Sequence, residues 1–323
     1  MLQDQHGRQL TYLRLAVTER CNLRCRYCMP AEGIDFAHRD ALLTYGEIME
    51  VCTALSELGV NKVRLTGGEP LVRRELPKLV SGLGKLFSTL AMTTNGILLP
   101  SFLDELTAAG MTHYNISLDT LREDRFFRIT RRDYFAGTRD AIQLLLDRGY
   151  PVKINVVVMR GQNDDELIDF VELTRHSDIE VRFIEAMPFN DDDGNHDVYI
   201  SYTEMLQTLT NAYPDLEKIG GRGSAVTFRV PGYIGGVGII PAYSRSLCGT
   251  CDRLRLTPRG TMLNCLYSTK GLELLPLLRA GIGREDLKDL IQEFVYGKYA
   301  TGHETQRHEQ AGTIFASMTS IGG

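Results

Sequence analysis

The sequence predicts an α/β protein in which six strand–helix units form an open or partly closed parallel barrel, followed by a smaller α+β region. Three observations lead to this fold class. Short runs of β-branched and aliphatic residues alternate about six times with longer amphipathic stretches. Polar residues follow most of these runs, and the helical period ends after about residue 213. Helical crossovers make consecutive strands parallel and leave the helices outside.

The strand-like runs and the helical stretches follow one another in a regular order. The runs with strand character lie at 10–18, 62–68, 90–96, 113–119, 152–159 and 180–188. Apolar residues three and four positions apart predict helices at 46–59, 99–110, 135–149 and 164–177. Residues 220–244 are rich in glycine and strand-forming residues and have no helical period. We therefore divide the chain into regions 1–220 and 221–323.

The composition excludes several classes of protein. Hydrophobic residues make up 43% of the 323 residues and no apolar run approaches the length of a membrane span, so we expect no membrane association. A net charge of −5 argues against a general nucleic-acid binder. The N-terminus lacks the features of a signal peptide, which predicts a cytoplasmic protein with free thiols. The acidic stretch 190–197 is interpreted as a solvated connection.

The polar residues at the strand ends predict one shared site. In parallel barrels the carboxyl ends of the strands meet at the same face, where functional residues gather. The polar strand ends lie at 18–21, 66–70, 93–96, 117–119 and 185–188.

Six of the seven cysteines form two triplets. Cys21, Cys25 and Cys28 follow the first strand, and Cys248, Cys251 and Cys265 lie in the C-terminal region. Cys52 lies on an apolar helix face and is assigned to the core. A structural zinc site closes four ligands around the metal, whereas three thiolates leave a position open. Thiolates suit zinc, copper(I) or iron–sulfur clusters, so ligand type alone does not choose among them.

The spacing of the first triplet favours a cluster. In a C-x₃-C-x₂-C loop the sulfurs reach three corners of a cubane, and the fourth iron is left to bind a small molecule. The alternative is a Cys₃His zinc site completed by His38, His303 or His308. The position of the first triplet disfavours this alternative, because a structural zinc has no reason to prefer a strand tip of a barrel.

CxxxCxxC followed by TGGEP resembles the radical S-adenosylmethionine (SAM) enzymes. The resemblance implies an incomplete (βα)₆ barrel of TIM type, in which Cys21, Cys25 and Cys28 hold a [4Fe-4S] cluster. The open iron of this cluster would bind the amino and carboxylate groups of SAM. Reductive cleavage of the sulfonium would then give a 5′-deoxyadenosyl radical.

Further motifs extend the resemblance over nearly the whole chain, to the GTP 3′,8-cyclase family of molybdenum-cofactor biosynthesis. They are LRLAVTERCNLRCRYCMP, VRLTGGEPLVRR, MTTNG, NISLDTL, VKINVVVM, FIEAMPF, CGTCDRLRLTPRGTMLNCLY and the terminal IGG. The resemblance implies a lyase in which the radical takes the ribose C3′ hydrogen of GTP and C3′ then bonds to C8, giving 3′,8-cyclo-7,8-dihydro-GTP. It also implies a cyclic pyranopterin monophosphate synthase downstream and an electron donor such as flavodoxin or ferredoxin, and it allows a homodimer.

The resemblance assigns roles to individual residues. Cys248, Cys251 and Cys265 hold a second [4Fe-4S] cluster, whose open iron binds the guanine. The SAM contacts are Tyr27, Gly68, Ser117 and Met187, although core packing is the alternative for Met187. The GTP contacts are Arg14, Arg64, Thr93, Lys153, Arg253 and Arg255. Gly322 and Gly323 are accessory residues near the active site.

The pattern of the arginines supports these assignments. Arg14 alternates with Leu13 and Leu15, so it points to the opposite face, and an inward guanidinium needs an anion such as a triphosphate. Guanidinium groups bind phosphate in a bidentate fork. The alternative for any single arginine is a surface side chain or an ion pair.

Two other functions remain open at this stage. One is a radical SAM maturase that acts on a peptide and carries an auxiliary cluster, but such extensions tend to have more cysteines and lack CDRLRL. The other is a zinc-binding module without catalysis, which the acidic balance and the barrel-like first region disfavour. Metal content would separate the iron–sulfur alternatives from zinc.

Overall fold

The structure is a computed structural model that describes residues 1–187, 198–220, 224–244, 247–309 and 317–322. Two predictions, for the acidic stretch 190–197 and for Gly323, lie outside the described residues.

Parallel strands followed by helical structure build the first part of the chain. They lie within or beside the runs with strand character, and each strand pairs in parallel with the next. The predicted alternation is thus confirmed. The strands are β1 (Tyr12–Ala16), β2 (Lys62–Thr66), β3 (Thr89–Thr94), β4 (His113–Ser117), β5 (Val152–Val158) and β6 (Ile179–Glu185).

The helices of this part are α1 (Tyr45–Glu57), α2 (Leu76–Leu83), α3 (Leu99–Ala108), α4 (Glu123–Thr130), α5 (Phe135–Asp147), α6 (Leu167–Glu172) and α7 (Tyr202–Ala212). Helix α1 begins at a capping box, in which Thr44 Oγ1 accepts from the Glu47 amide and the Glu47 carboxylate accepts from the Thr44 amide. The periodic pattern predicts α1, α3, α5 and α6 but not α2, α4 and α7.

Strands from the C-terminal region join both sides of the parallel sheet. β9 (Gly236–Ile240) pairs in parallel with β6, and β10 (Arg253–Leu256) pairs in parallel with β1. The outer strands are antiparallel: β7 (Glu217–Gly220), β8 (Val226–Arg229), β11 (Thr261–Leu263) and β12 (Leu272–Glu273). The sheet order within the described residues is β12-β11-β10-β1-β2-β3-β4-β5-β6-β9-β8-β7, so two edges remain and the barrel is open.

The chain ends in three helices, α8 (Leu274–Arg279), α9 (Arg284–Tyr296) and α10 (Gly302–His308), within the described ranges. The boundary near residue 220 stays a prediction, since the strands that follow it extend the same sheet. Nowhere in the described part of the chain does a helix have the length and apolar character needed to cross a bilayer.

The two faces of the parallel strands have different environments. Leu13 and Leu15 on β1 are completely buried in the core, together with Cys52 of α1, as predicted. Arg14, between the two leucines, lines a cavity inside the barrel. This alternation follows from the period of two along a strand, and it gives the barrel a polar interior.

Candidate active site

A cavity of about 450 Å³ lies inside the barrel and reaches the carboxyl ends of the strands. Residues from all five predicted polar strand ends line it, and so do all six cysteines of the two triplets. The prediction of one shared site is therefore confirmed in its placement, and both triplets face the same space.

The loop of the first triplet is held against α4. The amide of Arg24 donates to the Thr130 carbonyl and the amide of Arg26 donates to the Ile129 carbonyl, both at 3.0 Å. Within the loop, the amide of Cys28 donates to the Cys25 carbonyl at 2.9 Å. These backbone bonds fix the positions from which the three thiols line the cavity.

Two glycines let strand β2 approach this loop. A Cβ on Gly68 would lie 2.4 Å from the Arg20 carbonyl oxygen, and one on Gly67 would lie 2.4 Å from the Thr18 carbonyl oxygen. Gly67 also has a φ of +139°, which favours glycine. Close packing of the cysteine loop against β2 thus requires both glycines, and this requirement is independent of any ligand at Gly68.

The environment of the first triplet fits a metal cluster. Burial, with smaller contributions from nearby negative groups, raises the pKa of Cys21 to about 11 and that of Cys28 to about 12. Such thiols stay protonated until a metal binds, and coordination then ionises them. Among the described residues, no group of three or more His, Cys, Asp or Glu side chains is arranged around a single ion.

The second triplet lies beside positive charge. Burial alone would raise the pKa of Cys251, but the charges of Lys298 and Arg253 lower it to about 7. Cys248 begins a short 3₁₀ turn, and its sulfur lies 3.5 Å from the amide nitrogen of Gly302. Thiolate character is therefore favoured at Cys251, whereas burial raises the pKa of Cys248.

Three predicted arginines crowd the interior of the barrel. Arg64 and Arg255 are each 6% exposed, and Arg14 lines the same cavity. Burial, together with the charges of neighbouring arginines, lowers the pKa of Arg255 to about 9. Burial and the charge of Arg64 lower the pKa of Arg14 to about 10. At these pKa values Arg14 and Arg255 remain cationic at neutral pH. The ion pairs among the described residues include none of the three arginines.

Several polar atoms in the cavity lack a partner. The buried Nε of Arg14 and the buried side-chain oxygens of Asn115, Asn155, Asp252 and Asn264 make no hydrogen bond within the described part of the chain. All five residues line the cavity. Because buried polar groups are normally paired, the four oxygens fit a ligand that offers hydrogen-bond donors, and the Arg14 Nε fits an acceptor or an anionic group.

The C-terminal segment enters the cavity between these arginines. The Gly322 carbonyl lies 3.0 Å from Arg255 Nη1 and 3.4 Å from Arg14 Nη2. Upstream, Ser317 Oγ donates to the Cys28 carbonyl at 2.7 Å. The segment thus links the first triplet to the arginines and places Gly322 beside them, and an accessory role for Gly322 stays a prediction.

The predicted SAM contacts lie around the first triplet. Tyr27 donates its hydroxyl to Asp119 at 2.8 Å, and Asp119 also accepts from the Val157 amide at 2.9 Å. Ser117 lines the cavity, and Met187 does so with its sulfur 3.1 Å from the Tyr267 hydroxyl. Burial raises the pKa of Asp119 to about 6, although the hydrogen bonds from Val157 and Tyr27 act in the opposite direction.

The remaining predicted GTP contacts differ in placement. Thr93 lines the cavity, with its hydroxyl 3.5 Å from Arg64 Nη1, and Arg253 lines it from β10. Lys153 is not among the lining residues; its ammonium pairs with Glu180, which also binds Arg182. A role for Lys153 in GTP binding requires release from this ion pair and stays a prediction.

Sequence reasoning missed two cationic residues of the cavity, Lys62 and Arg182. Lys62 lies two positions before Arg64 on β2, and Arg182 lies two positions before the cavity-lining Ile184 on β6. The period of two along these strands could have found both. They extend the positive charge along the interior.

Glu185, at the tip of β6, was also not singled out by itself. Its carboxylate is 1% exposed and accepts the amides of Tyr202, Tyr243 and Ser244 at 2.7–2.8 Å. It therefore fixes the segment that precedes the second triplet.

His38 does not support the alternative of a zinc site, because its side chain is 84% exposed and lies beside Asp40.

Comparisons with known proteins agree with this fold. A family model described as the radical SAM superfamily matches residues 15–174, and one described as Molybdenum Cofactor Synthesis C matches residues 179–304. The structure of Streptococcus suis SuiB bound to S-adenosylmethionine has a TM-score of 0.63 at 14% identity, covering 90% of this chain and 68% of that chain. This likeness shows the fold. The barrel and the match to the radical SAM family model together place the chain among the radical SAM enzymes.

Relatives define the family more closely. A GTP 3′,8-cyclase from Petrotoga mobilis is 44% identical, with 82% of this chain and 84% of the relative covered. The mitochondrial GTP 3′,8-cyclase from Arabidopsis thaliana is 41% identical, with coverage of 100% and 84%. The chain belongs to the GTP 3′,8-cyclase family. It spans about half the length of other relatives, such as molybdenum cofactor biosynthesis protein 1 from Bos taurus, which is 45% identical over 90% of this chain and 47% of its own length.

Proposed function

We propose that the chain is a GTP 3′,8-cyclase that carries out the first step of molybdenum cofactor biosynthesis. The observation that carries the proposal is a single cavity lined by two cysteine triplets and by the guanidinium groups of Arg14, Arg64 and Arg255. Three cationic groups without a carboxylate partner among the described residues require an anion of high charge. A nucleoside triphosphate meets this requirement, and guanidinium forks suit its phosphates.

The residues of the first triplet fit the cluster and cosubstrate of the family. Cys21, Cys25 and Cys28 would hold a [4Fe-4S] cluster, and the proposed SAM contacts are Tyr27, Gly68, Ser117 and Met187. When bound, the first cluster and SAM together would supply a 5′-deoxyadenosyl radical, which would remove the C3′ hydrogen of GTP. Tyr27 is oriented by Asp119, which the Val157 amide holds in turn.

The second half of the site would hold GTP at two ends. Cys248, Cys251 and Cys265 would hold a second [4Fe-4S] cluster with a place for the guanine. Arg14, Arg64, Arg253 and Arg255 would bind the triphosphate, with Thr93 and Lys153 as further contacts. Separate holders for base and phosphates restrict the ribose between them, which brings C3′ and C8 within bonding reach. The tail carbonyl of Gly322 already hydrogen-bonds two of these arginines.

We infer that a flavodoxin or ferredoxin supplies two electrons, one for the cleavage of SAM and one that, with a proton, completes the dihydro product after C3′ has bonded to C8. The product, 3′,8-cyclo-7,8-dihydro-GTP, would then pass to a cyclic pyranopterin monophosphate synthase. The seven cysteines among the described residues carry free thiols. Free thiols suit a reducing compartment, so we expect the protein to act in the cytoplasm. A homodimer and the boundary near residue 220 remain part of the same hypothesis.

The proposal is tested by anaerobic reconstitution with iron and sulfide, followed by incubation with GTP, SAM and dithionite. We expect 5′-deoxyadenosine and the cyclised nucleotide to form together. ATP in place of GTP is the matched control, since it has the same triphosphate and a different base. Deoxyadenosine without a GTP-derived product would keep the radical SAM class and reject the cyclase. A zinc-loaded protein without iron would reject both.

A further inference from the structure

A buried lysine lies behind the second triplet, in a part of the chain that carries none of the motifs. Lys298 follows α9 and is only 3% exposed. Its ammonium donates to the carbonyl oxygen of Arg253 at 2.9 Å and to that of Asn264. Arg253 follows Cys251 by two positions and Asn264 directly precedes Cys265. One ammonium group thus joins the two segments that present these cysteines.

The charge of Lys298 lacks a carboxylate partner. Within the described ranges its ammonium bonds only to carbonyl oxygens, and the ion pairs of the chain do not include it. Burying an unpaired cation is costly, so a compensating negative group is expected nearby. Burial lowers the pKa of Lys298, and negative charge on Cys251 and Cys265 opposes this lowering.

The segment that carries Lys298 is fixed from the N-terminus. Arg8 donates to the carbonyl oxygens of Tyr299 at 2.6 Å, Ala300 at 2.7 Å and Cys248 at 2.9 Å. Asp4 neutralises Arg8 through an ion pair of 2.6 Å. Arg8 therefore acts as a brace whose charge is already balanced, whereas the charge of Lys298 is available to the cysteines.

We propose that Lys298 is a positioning residue of the second cluster: it ties together the segments of Cys251 and Cys265 and sets the reduction potential of the cluster through its buried charge. The inference rests on the second cluster of the proposed function. A nearby cation stabilises the more negative, reduced form of an iron–sulfur cluster, so Lys298 raises its reduction potential. A lysine that only supports the fold would not affect the potential.

The test uses the full chain with Cys21, Cys25 and Cys28 changed to Ser, so that the second cluster alone is observed. After anaerobic reconstitution, iron per chain and the midpoint potential are measured by redox titration followed by electron paramagnetic resonance. The variants are Lys298→Met and Lys298→Arg. The matched control is Lys288→Met, because Lys288 on α9 makes ion pairs with Glu57 and Glu285 and does not line the cavity.

We expect Lys298→Met to lower the ratio of reduced to oxidised cluster about tenfold at a fixed potential, a shift of about 59 mV for one electron. Lys298→Arg and Lys288→Met should stay within about threefold of the parent. Loss of iron in Lys298→Met with retention in Lys298→Arg would also support the inference. Unchanged iron and potential in Lys298→Met would overturn it, and so would equal loss of iron in both Lys298 variants, because charge would then not matter. A parent chain that takes up no iron would instead reject the second cluster itself.

Discussion

Arg255 Nη1 donates a hydrogen bond to the carbonyl oxygen of Gly322 at 3.0 Å, which brings the C-terminal segment onto the strand of the second triplet. The same carbonyl lies 3.4 Å from the Thr66 hydroxyl, close to the first triplet's side of the cavity. Gly322 has a φ of +75°, and a Cβ there would lie 2.7 Å from both Ala16 Cβ and Thr66 Oγ1. The segment can lie in the cavity only with glycine at this position.

Gly322→Ala should therefore move the tail out of the cavity. We expect cyclisation of GTP to fall about tenfold or more, because Arg14 and Arg255 lose a partner that orients them. The melting temperature should change little. Gly281→Ala is the control, since Gly281 has a similar φ of +78° with nothing within 4 Å of the added Cβ. Full activity of Gly322→Ala would show that the tail is idle.

Arg253→Ala should weaken the binding of GTP much more than that of SAM. Loss of a charge-assisted contact to phosphate costs about 1.5–3 kcal/mol, or roughly 10- to 150-fold in Kd. Equilibrium dialysis with each nucleotide measures both constants. Arg229→Ala is the control, because it removes the same charge from the exposed end of β8. Equal losses for GTP and SAM would point to misfolding rather than to a phosphate contact.

Cys265→Ala should remove the iron of the second triplet and leave that of the first. Iron analysis should fall from about eight to about four atoms per chain, with loss of cyclisation but not of SAM cleavage. Cys52→Ala tests whether cysteine removal as such matters: its thiol is completely buried in the core, so iron should stay unchanged while stability falls by about 1 kcal/mol. Normal turnover in Cys265→Ala would contradict the role of the second triplet.

Asp119 should make stability depend on pH. Burial raises its pKa to about 6 in the folded protein, above the value of an unfolded chain, so the native state binds the proton more tightly. Stability is then highest below the unfolded pKa and decreases as pH rises through about 6, by about 3 kcal/mol at most. Asn at this position can keep hydrogen bonds to the Val157 amide and to Tyr27 without titrating.

Thermal unfolding of the anaerobic protein at pH 5 and pH 7.5 measures this effect. The melting temperature of Asp119→Asn, relative to that of the unchanged chain, should rise between the two pH values. A constant difference would mean that Asp119 does not titrate in this range.

The parts of the site that the sequence predicts are those encoded locally. The cysteine spacing of the first triplet, each polar strand end and the alternation of Arg14 with leucines are patterns that each span only a few residues. Lys298 could not be predicted in this way, because its partners are the carbonyl oxygens of two distant segments. The ion pair that holds Lys153 is likewise set by the register between β5 and β6, which brings Lys153 opposite Glu180.

The fold divides in a similar manner. The six strand–helix units follow from periodicity, which is a local property. The places of β9 and β10 beside β6 and β1 depend on pairing across long stretches of chain, and no local pattern encodes such pairing. For this reason the sequence predicts the regions 1–220 and 221–323 but not that strands of the second region extend the sheet of the first.

The pairing of β1 with β10 has a consequence for biosynthesis. Tyr12 leaves the ribosome long before its partner Arg253, because the two paired residues are far apart along the chain. Until then β1 presents an open sheet edge next to three reactive thiols, and unpaired edges invite aggregation. During translation the pocket would still lack β10, so iron could not be inserted into a complete site. We therefore expect cells to insert iron after release of the nascent polypeptide.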